Sequence, residues 1–215
     1  MGLFRKKLKQ EYKVMLQAER AGGELLPEYH RATQECPEPE RWRMYDSMTA
    51  EFEVLEFLRT LVTTLKPKLI VETGAFLGVS TVWMAEGLRR NGEGRIVSCE
   101  FDPILYARAR EKIGASGLAD RIELRNASSL EMQVDGTIDL LFSDSDLDIR
   151  EHEVRRFLPQ VSPHGLILMH DASSYPGTVR QAAKRLEAEG LISLLLLPTP
   201  RGLAIAQKRT VRAPA

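Results

Sequence analysis

Residues Lys68 to Glu86, K-L-I-V-E-T-G-A-F-L-G-V-S-T-V-W-M-A-E, constrain the fold more than any other stretch. Pro67 precedes a short apolar run, Leu69-Ile70-Val71. A run of this kind bounded by breakers reads as a buried strand. Glu72 to Gly78 then breaks the pattern with two glycines. Behind Ser80 and Thr81, the residues Val79, Val82, Trp83 and Ala85 recur at helical spacing. The unit is strand, tight glycine turn, helix: the first unit of an open α/β sheet. Such sheets bind ligands beyond the carboxyl ends of their strands.

The turn suits a small ligand. Gly74 admits a backbone with positive φ, and Gly78 removes a side chain where a ligand or the helix must approach. The helix start offers unpaired N–H groups. Glu72 at the strand tip would repel a pyrophosphate and better suits a ligand with ammonium or sulfonium charge. The spacing is not G-x-G-x-x-G, because Ala75-Phe76-Leu77 separate the glycines. A plain βα turn with two convenient glycines is the bland alternative, and the next unit weighs against it. Arg95 to Glu100 is a second apolar run ending in an acid, followed by Phe101-Asp102-Pro103. Glu100 lies 22 residues after Gly78. An acid at the tip of the second strand at that distance holds ribose hydroxyls.

The rest of the chain continues the alternation. Glu51 to Leu65 carries Phe52, Leu55, Leu58, Leu61, Val62 and Leu65 at helical spacing, with Thr49 as the expected N-cap. Pro103 to Gly117 is the second crossover helix, with Pro103 near its first position. Arg121 to Asn126 and Thr137 to Asp144 read as strands three and four. Ile149 to Leu158 reads as a helix stopped by Pro159. Gly165 to Asp171 is strand five, and Thr178 to Glu189 a helix capped by Gly190. Ile192 to Leu197 and Leu203 to Gln207 flank a Pro- and Gly-containing turn, an antiparallel hairpin closing an otherwise parallel sheet. Before all this, Leu3 to Ala21 reads as a basic amphipathic helix, more simply a solvated face than a contact with an anionic surface. Gly22 to Pro39 reads as loop. Residues 1–66 are therefore expected to form a helical cap on a core spanning 67–215, in one domain.

Length and charge set bounds. A chain of 215 residues suits one α/β domain with a sizeable core. Lys+Arg and Asp+Glu number 30 each, which argues against a large nucleic-acid surface. Cys36 falls in a loop and Cys99 in a buried strand, so free thiols and a reducing cytoplasm are expected. No apolar run is long enough to span a bilayer. The opening M-G-L-F-R-K-K-L-K has no signal-peptide core, and Lys6 stands where a myristoylation site has Ser or Thr.

From Met48 to Arg209 the chain resembles class I S-adenosylmethionine-dependent methyltransferases. Within them it is most similar to small bacterial O-methyltransferases related to catechol and caffeoyl-CoA O-methyltransferases. The resemblance is carried by Val71 to Thr81, Ser98-Cys99-Glu100, Asn126-Ala127-Ser128, Ile138 to Asp144 and the terminal hairpin. It implies a Rossmann-like, doubly wound α/β fold with a seven-stranded sheet whose last strand is antiparallel. It implies S-adenosylmethionine as cofactor and a small-molecule hydroxyl as acceptor. Glu72, Gly74 and Ala75 would line the methionine end, Ser80 would contact its carboxylate, and Thr73 and Gly78 would belong to the same cofactor-binding strip. Glu100 would hold the ribose diol, Phe101 would pack on the adenine, and Ala127 and Ser128 would meet its edge. Asp144 would sit below the sulfonium.

Asp144 and Asp171 are candidate catalytic groups and candidate ligands for a divalent cation such as magnesium. Catechol-type enzymes place a lysine, taken as the base, three residues after the first aspartate, and Asp-Asn after strand five. Here those places hold Leu147 and Asp171-Ala172, preceded by His170. A related group has Asp-Gly-Asp-His after strand four, where this chain reads Asp144-Ser145-Asp146-Leu147. The expectation is a weak or absent magnesium site, with His170 deprotonating the acceptor. A strand-end histidine bonded to backbone is the alternative for His170. His30, His152 and His164, the last in a Ser162-Pro163-His164-Gly165 turn, read as structural. Asp146 and Asp148 read as turn and capping residues rather than ligands. A homodimer through the N-terminal cap is expected. The competing classes are an NAD-dependent Rossmann oxidoreductase, which predicts the missing G-x-G-x-x-G, and a non-catalytic or RNA-binding protein of the same fold.

Overall fold

The computed structural model describes residues 41–46, 48–174 and 177–209. The basic helix expected over Leu3 to Ala21 and the loop carrying His30 and Cys36 lie outside them, so most of the cap is not described. Five α-helices and seven strands alternate among the described residues: α1 (Phe52–Leu65), β1 (Leu69–Thr73), α2 (Val79–Asn91), β2 (Arg95–Glu100), α3 (Pro103–Ala115), β3 (Ile122–Asn126), β4 (Ile138–Ser143), α4 (Arg150–Phe157), β5 (Val161–His170), α5 (Thr178–Ala188), β6 (Ile192–Leu197) and β7 (Leu203–Lys208). No described helix is long and apolar enough to cross a membrane.

The sheet order is β3-β2-β1-β4-β5-β7-β6. Strands β1 to β5 pair parallel. β7 runs antiparallel to both neighbours and enters between β5 and β6. This is the expected doubly wound sheet with its last strand reversed. The side-chain period of 2 builds two cores. Ile70, Ile96, Leu140 and Leu168 face α1, α2 and part of α3. Val71, Val97, Leu141, Ile167 and Met169 face α4 and α5. The chain reverses direction across the sheet between β1 and β4, and a crevice opens at their carboxyl ends.

Several local expectations need correction. Thr49 does not cap α1. Its N–H and hydroxyl both donate to Asp46 (2.6 and 3.0 Å), and Glu51 occupies the cap position without a side-chain cap bond. β5 begins at Val161, four residues before the expected start. The Ser162-Pro163-His164 stretch that reads as a turn lies within its bounds, where the register with β4 shifts between Ile138 and Leu140. Asp146 and Asp148 do not cap α4, whose N-cap is Ile149, with no side-chain cap bond. Asp102, which sequence reading passed over, caps α3 by accepting from Ile104 and Leu105 N–H (2.7 and 3.0 Å), with Pro103 at the first position.

Candidate active site

Beyond the tips of β1, β2 and β4 lies a cavity of about 660 Å³. The glycine turn forms one wall. Gly74 has φ +80°, and a Cβ there would lie 2.5 Å from the Asp144 carbonyl oxygen and 2.7 Å from Ser145 Cα. The turn thus packs backbone to backbone against the end of β4, a fit that only glycine allows. Phe76 follows at φ 52°, an uncommon conformation for a bulky residue. Its N–H donates to Glu100 Oε2 at 2.8 Å, while Oε1 accepts from Asp102 N–H at 2.9 Å. Glu100 therefore braces the turn and still lines the cavity. Burial raises its carboxyl above the ordinary range, and the two N–H donors oppose that.

Nine of the sequence-predicted site residues line this cavity: Gly74, Ala75, Ser80, Glu100, Phe101, Ala127, Ser128, Asp144 and Asp171. Phe101 is 77% exposed, an apolar ring held out at the rim beside partly exposed Leu130. An unclad aromatic face at a cavity mouth suits a flat heterocycle.

Glu72, Thr73, Gly78 and His170 do not line it. Glu72 is fully buried and accepts from the hydroxyls of Ser80, Thr81 and Ser98 (2.5, 2.5 and 2.6 Å). Burial raises its carboxyl, and the three hydroxyls work against that. Glu72 thus ties β1, β2 and the start of α2 together below the turn and is not a wall facing a cation. Ser80 gives its hydroxyl hydrogen to Glu72, so a ligand carboxylate must look to the backbone N–H groups of the first turn of α2. Gly78 caps α2 at φ +76°, where a Cβ would meet Ala109 and Ile113 of α3 at 3.4 Å. It serves helix packing. Thr73 donates to Glu153, described next.

Glu153 was not singled out from sequence. Its buried carboxylate on α4 accepts four hydroxyls: Thr73 (2.8 Å), Ser143 (2.6 Å), Ser145 (2.6 Å) and Ser129. It pins the tips of β1 and β4 and the loop after β3.

Behind Asp144 the structure assembles six charged groups. His170 is fully buried. Its Nε2 lies 2.6 Å from Glu51 Oε2 and its Nδ1 3.2 Å from Asp144 Oδ1. Burial alone would lower the ring's pKa, but Asp144, Glu51 and Asp171 raise it to about 9. Glu51 answers this: burial would raise it, yet His170 and the Arg201 backbone N–H hold it at about 2. Arg150, 2% exposed, donates to Asp144 (3.2 Å), Asp171 (2.9 Å) and the Ser145 carbonyl (2.6 Å), and also to the His170 carbonyl. Arg201 Nε lies 2.6 Å from Asp171 Oδ1. Burial opposes the Asp171 charge, but His170, Arg201 and Arg150 hold its carboxyl well below the usual range. Asp171 itself sits at φ 63°. The expectation of His170 as general base is therefore corrected: a buried imidazolium between two carboxylates has no lone pair for an acceptor proton.

This pair makes stability depend on pH. The folded His170 keeps its proton to about pH 9, against 6.5 for the ordinary ring. Its contribution is fully present below pH 6.5 and is lost as pH rises through 9, a loss of about 3 kcal/mol. Glu51, lowered from 4.5 to about 2, contributes stability present above pH 4.5 and lost as pH falls through 2. This pair's contribution is level between these limits, where the raised carboxyls of Glu72 and Glu100 set the slope instead, and denaturant midpoints are expected to decline from pH 6.5 to 9. A midpoint unchanged over that upper interval would show the ring to be neutral in the fold.

Known proteins share this architecture. Residues 71–172 match the family described as methyltransferase domain. A catechol O-methyltransferase of Niastella koreensis is 32% identical over 97 residues, covering 42% of this chain and 43% of that protein. The chain thus spans under half the length of that relative. Caffeoyl-CoA O-methyltransferase 1 of Eucalyptus globulus is 24% identical over 207 residues, covering 85% of this chain and 82% of that one. Among solved structures, an S-adenosylhomocysteine-bound methyltransferase of Podospora anserina aligns with TM-score 0.69 at 21% identity, over 94% of this chain and 96% of its own. An O-methyltransferase of Bacillus cereus in complex with S-adenosylhomocysteine aligns with TM-score 0.68 at 21% identity, over 93% and 91%. At those identities the structures establish the fold.

Proposed function

We propose that this chain, whose α/β core is that of a class I S-adenosylmethionine-dependent methyltransferase, methylates a hydroxyl oxygen on a small molecule. The observation that carries the reading is Glu100: a carboxylate on the cavity wall, at the tip of the second strand, beside a turn that only glycine permits. In this assignment Glu100 holds the ribose hydroxyls and Phe101 covers one adenine face. Ala127 and Ser128 meet the adenine edge, and Gly74 and Ala75 pass the methionine end. The first turn of α2 takes the carboxylate. The bound sulfonium supplies an activated methyl group. The chain's own task is to exclude water and align the acceptor oxygen with that methyl. Asp144 is the carboxylate beside the reacting centre. The oxidoreductase reading lacks its G-x-G-x-x-G, and none of the relatives named above favours it.

Calorimetry tests the assignment. S-adenosylhomocysteine should bind and NAD should not. Glu100→Ala should weaken binding by about 1–3 kcal/mol, roughly five- to 150-fold. The opposite cofactor preference would sink the proposal. We further propose a cytoplasmic location and a homodimer formed through the N-terminal segment. Light scattering of the full chain reads the latter, and a monomer at micromolar concentration refutes it.

A further inference from the structure

Asp144, His170 and Asp171 each bring one ligand atom to within 4.8 Å of the others, the spacing of a cation site. The donor set does not fit a divalent cation. Both nitrogens of His170 are already engaged by carboxylate oxygens, at 2.6 and 3.2 Å, so neither is open to an added ion. Asp171 Oδ2 accepts from Arg150, and Oδ1 accepts from Arg201 and from the Ser174 hydroxyl. Asp144 Oδ1 is shared by Arg150 and His170. Asp144 and Asp171 thus already face two guanidinium groups, those of Arg150 and Arg201. An added divalent ion would leave a buried excess of positive charge, which a low-dielectric site penalises.

We infer that the guanidinium groups of Arg150 and Arg201 occupy, at this centre, the place a divalent cation would take, making the chain metal-independent there. Arg150 is the inner bridge, buried and spanning the tips of β4 and β5. Arg201 reaches the cavity wall. Arg150 also lines the cavity, but its side chain is 2% exposed against 17% for Arg201, so Arg201 is the more open positive group for an acceptor oxygen, and that last statement alone rests on the methyltransferase reading.

The test is a manganese titration of chelator-dialysed full chain, with and without S-adenosylhomocysteine, followed by the electron paramagnetic resonance signal of the free ion. The wild type should show no site tighter than about 1 mM. Arg150→Met, shown folded by circular dichroism, should bind manganese at least about tenfold tighter, because two carboxylates lose their cation. A stoichiometric wild-type site tighter than about 1 mM that magnesium displaces overturns the inference. A folded Arg150→Met that gains no affinity overturns it equally. Because the ion is read directly, a chain that bound no S-adenosylhomocysteine would refute the proposed function and leave this result standing.

Discussion

Glu153→Ala should lower the unfolding midpoint by about 8–16 °C, the largest stability loss expected of any single substitution at this site. The four hydroxyls of Thr73, Ser129, Ser143 and Ser145 converge on one carboxylate, and three of those residues are buried. Each orphaned buried donor costs about 1–3 kcal/mol, and partial re-pairing brings the sum to about 4 kcal/mol. Glu153→Gln separates charge from shape. The amide keeps the volume but turns half of the acceptor into a donor facing hydroxyls, so it should recover about half of the lost stability. Thermal denaturation of the three proteins decides it. A Glu153→Ala midpoint within about 2 °C of wild type would show that the hydroxyls find partners elsewhere.

Gly74→Val should remove S-adenosylhomocysteine binding almost entirely, by more than about 100-fold. Two penalties coincide. A β-branched residue at φ +80° is strained before any neighbour is considered. Its Cβ would also overlap the Asp144 carbonyl at 2.5 Å, and backbone cannot yield as a side-chain tip can. The turn must then move away from β4 and carry Ala75, Phe76 and the brace to Glu100 with it. Gly92→Ala is the internal control: it also has positive φ, but a Cβ there meets nothing within 4 Å. Equal loss of binding in both variants, measured by calorimetry on folded protein, would show that strain rather than the close approach is responsible.

The sheet was legible from sequence because its signals are local. Leu69-Ile70-Val71, Arg95 to Glu100 and Ile138 to Ser143 are short apolar runs ended by glycine or acid, and the structure returns them as adjacent parallel strands. Gly74 and Glu100 were readable for the same reason: turn chemistry and spacing travel in one unit. The charge centre was not. Glu51 meets Arg201 across 150 positions and His170 across 119. Nothing in the neighbourhood of Arg150 or Arg201 distinguishes it from a solvated arginine. By position at a strand tip, Glu72 and His170 are expected to face the ligand. Burial reversed both, since hydroxyls close over one and carboxylates over the other. Ser162-Pro163-His164 looked like a turn because proline and serine usually punctuate. Here they occupy an irregular opening of β5.

The insertion of β7 between β5 and β6 bears on when the site comes into being. Arg201 and Gly202 immediately precede that strand. Their carbonyls accept from the N–H groups of Ser173 (2.7 Å) and Ala172 (3.0 Å), next to Asp171. The loop bearing Asp171 is therefore held by a segment synthesised after β1 to β6. Until β7 slots home, β5 and β6 have no common neighbour, Asp171 lacks one of its two guanidinium partners, and Glu51 lacks the backbone N–H of Arg201. A nascent chain can thus complete the glycine turn and β1 to β4 while the charged cluster around Asp171 still lacks Arg201. What the β6–β7 hairpin completes, on this topology, is the charge balance around Asp171 and Glu51, after the cofactor wall built by β1 to β3 is already in place.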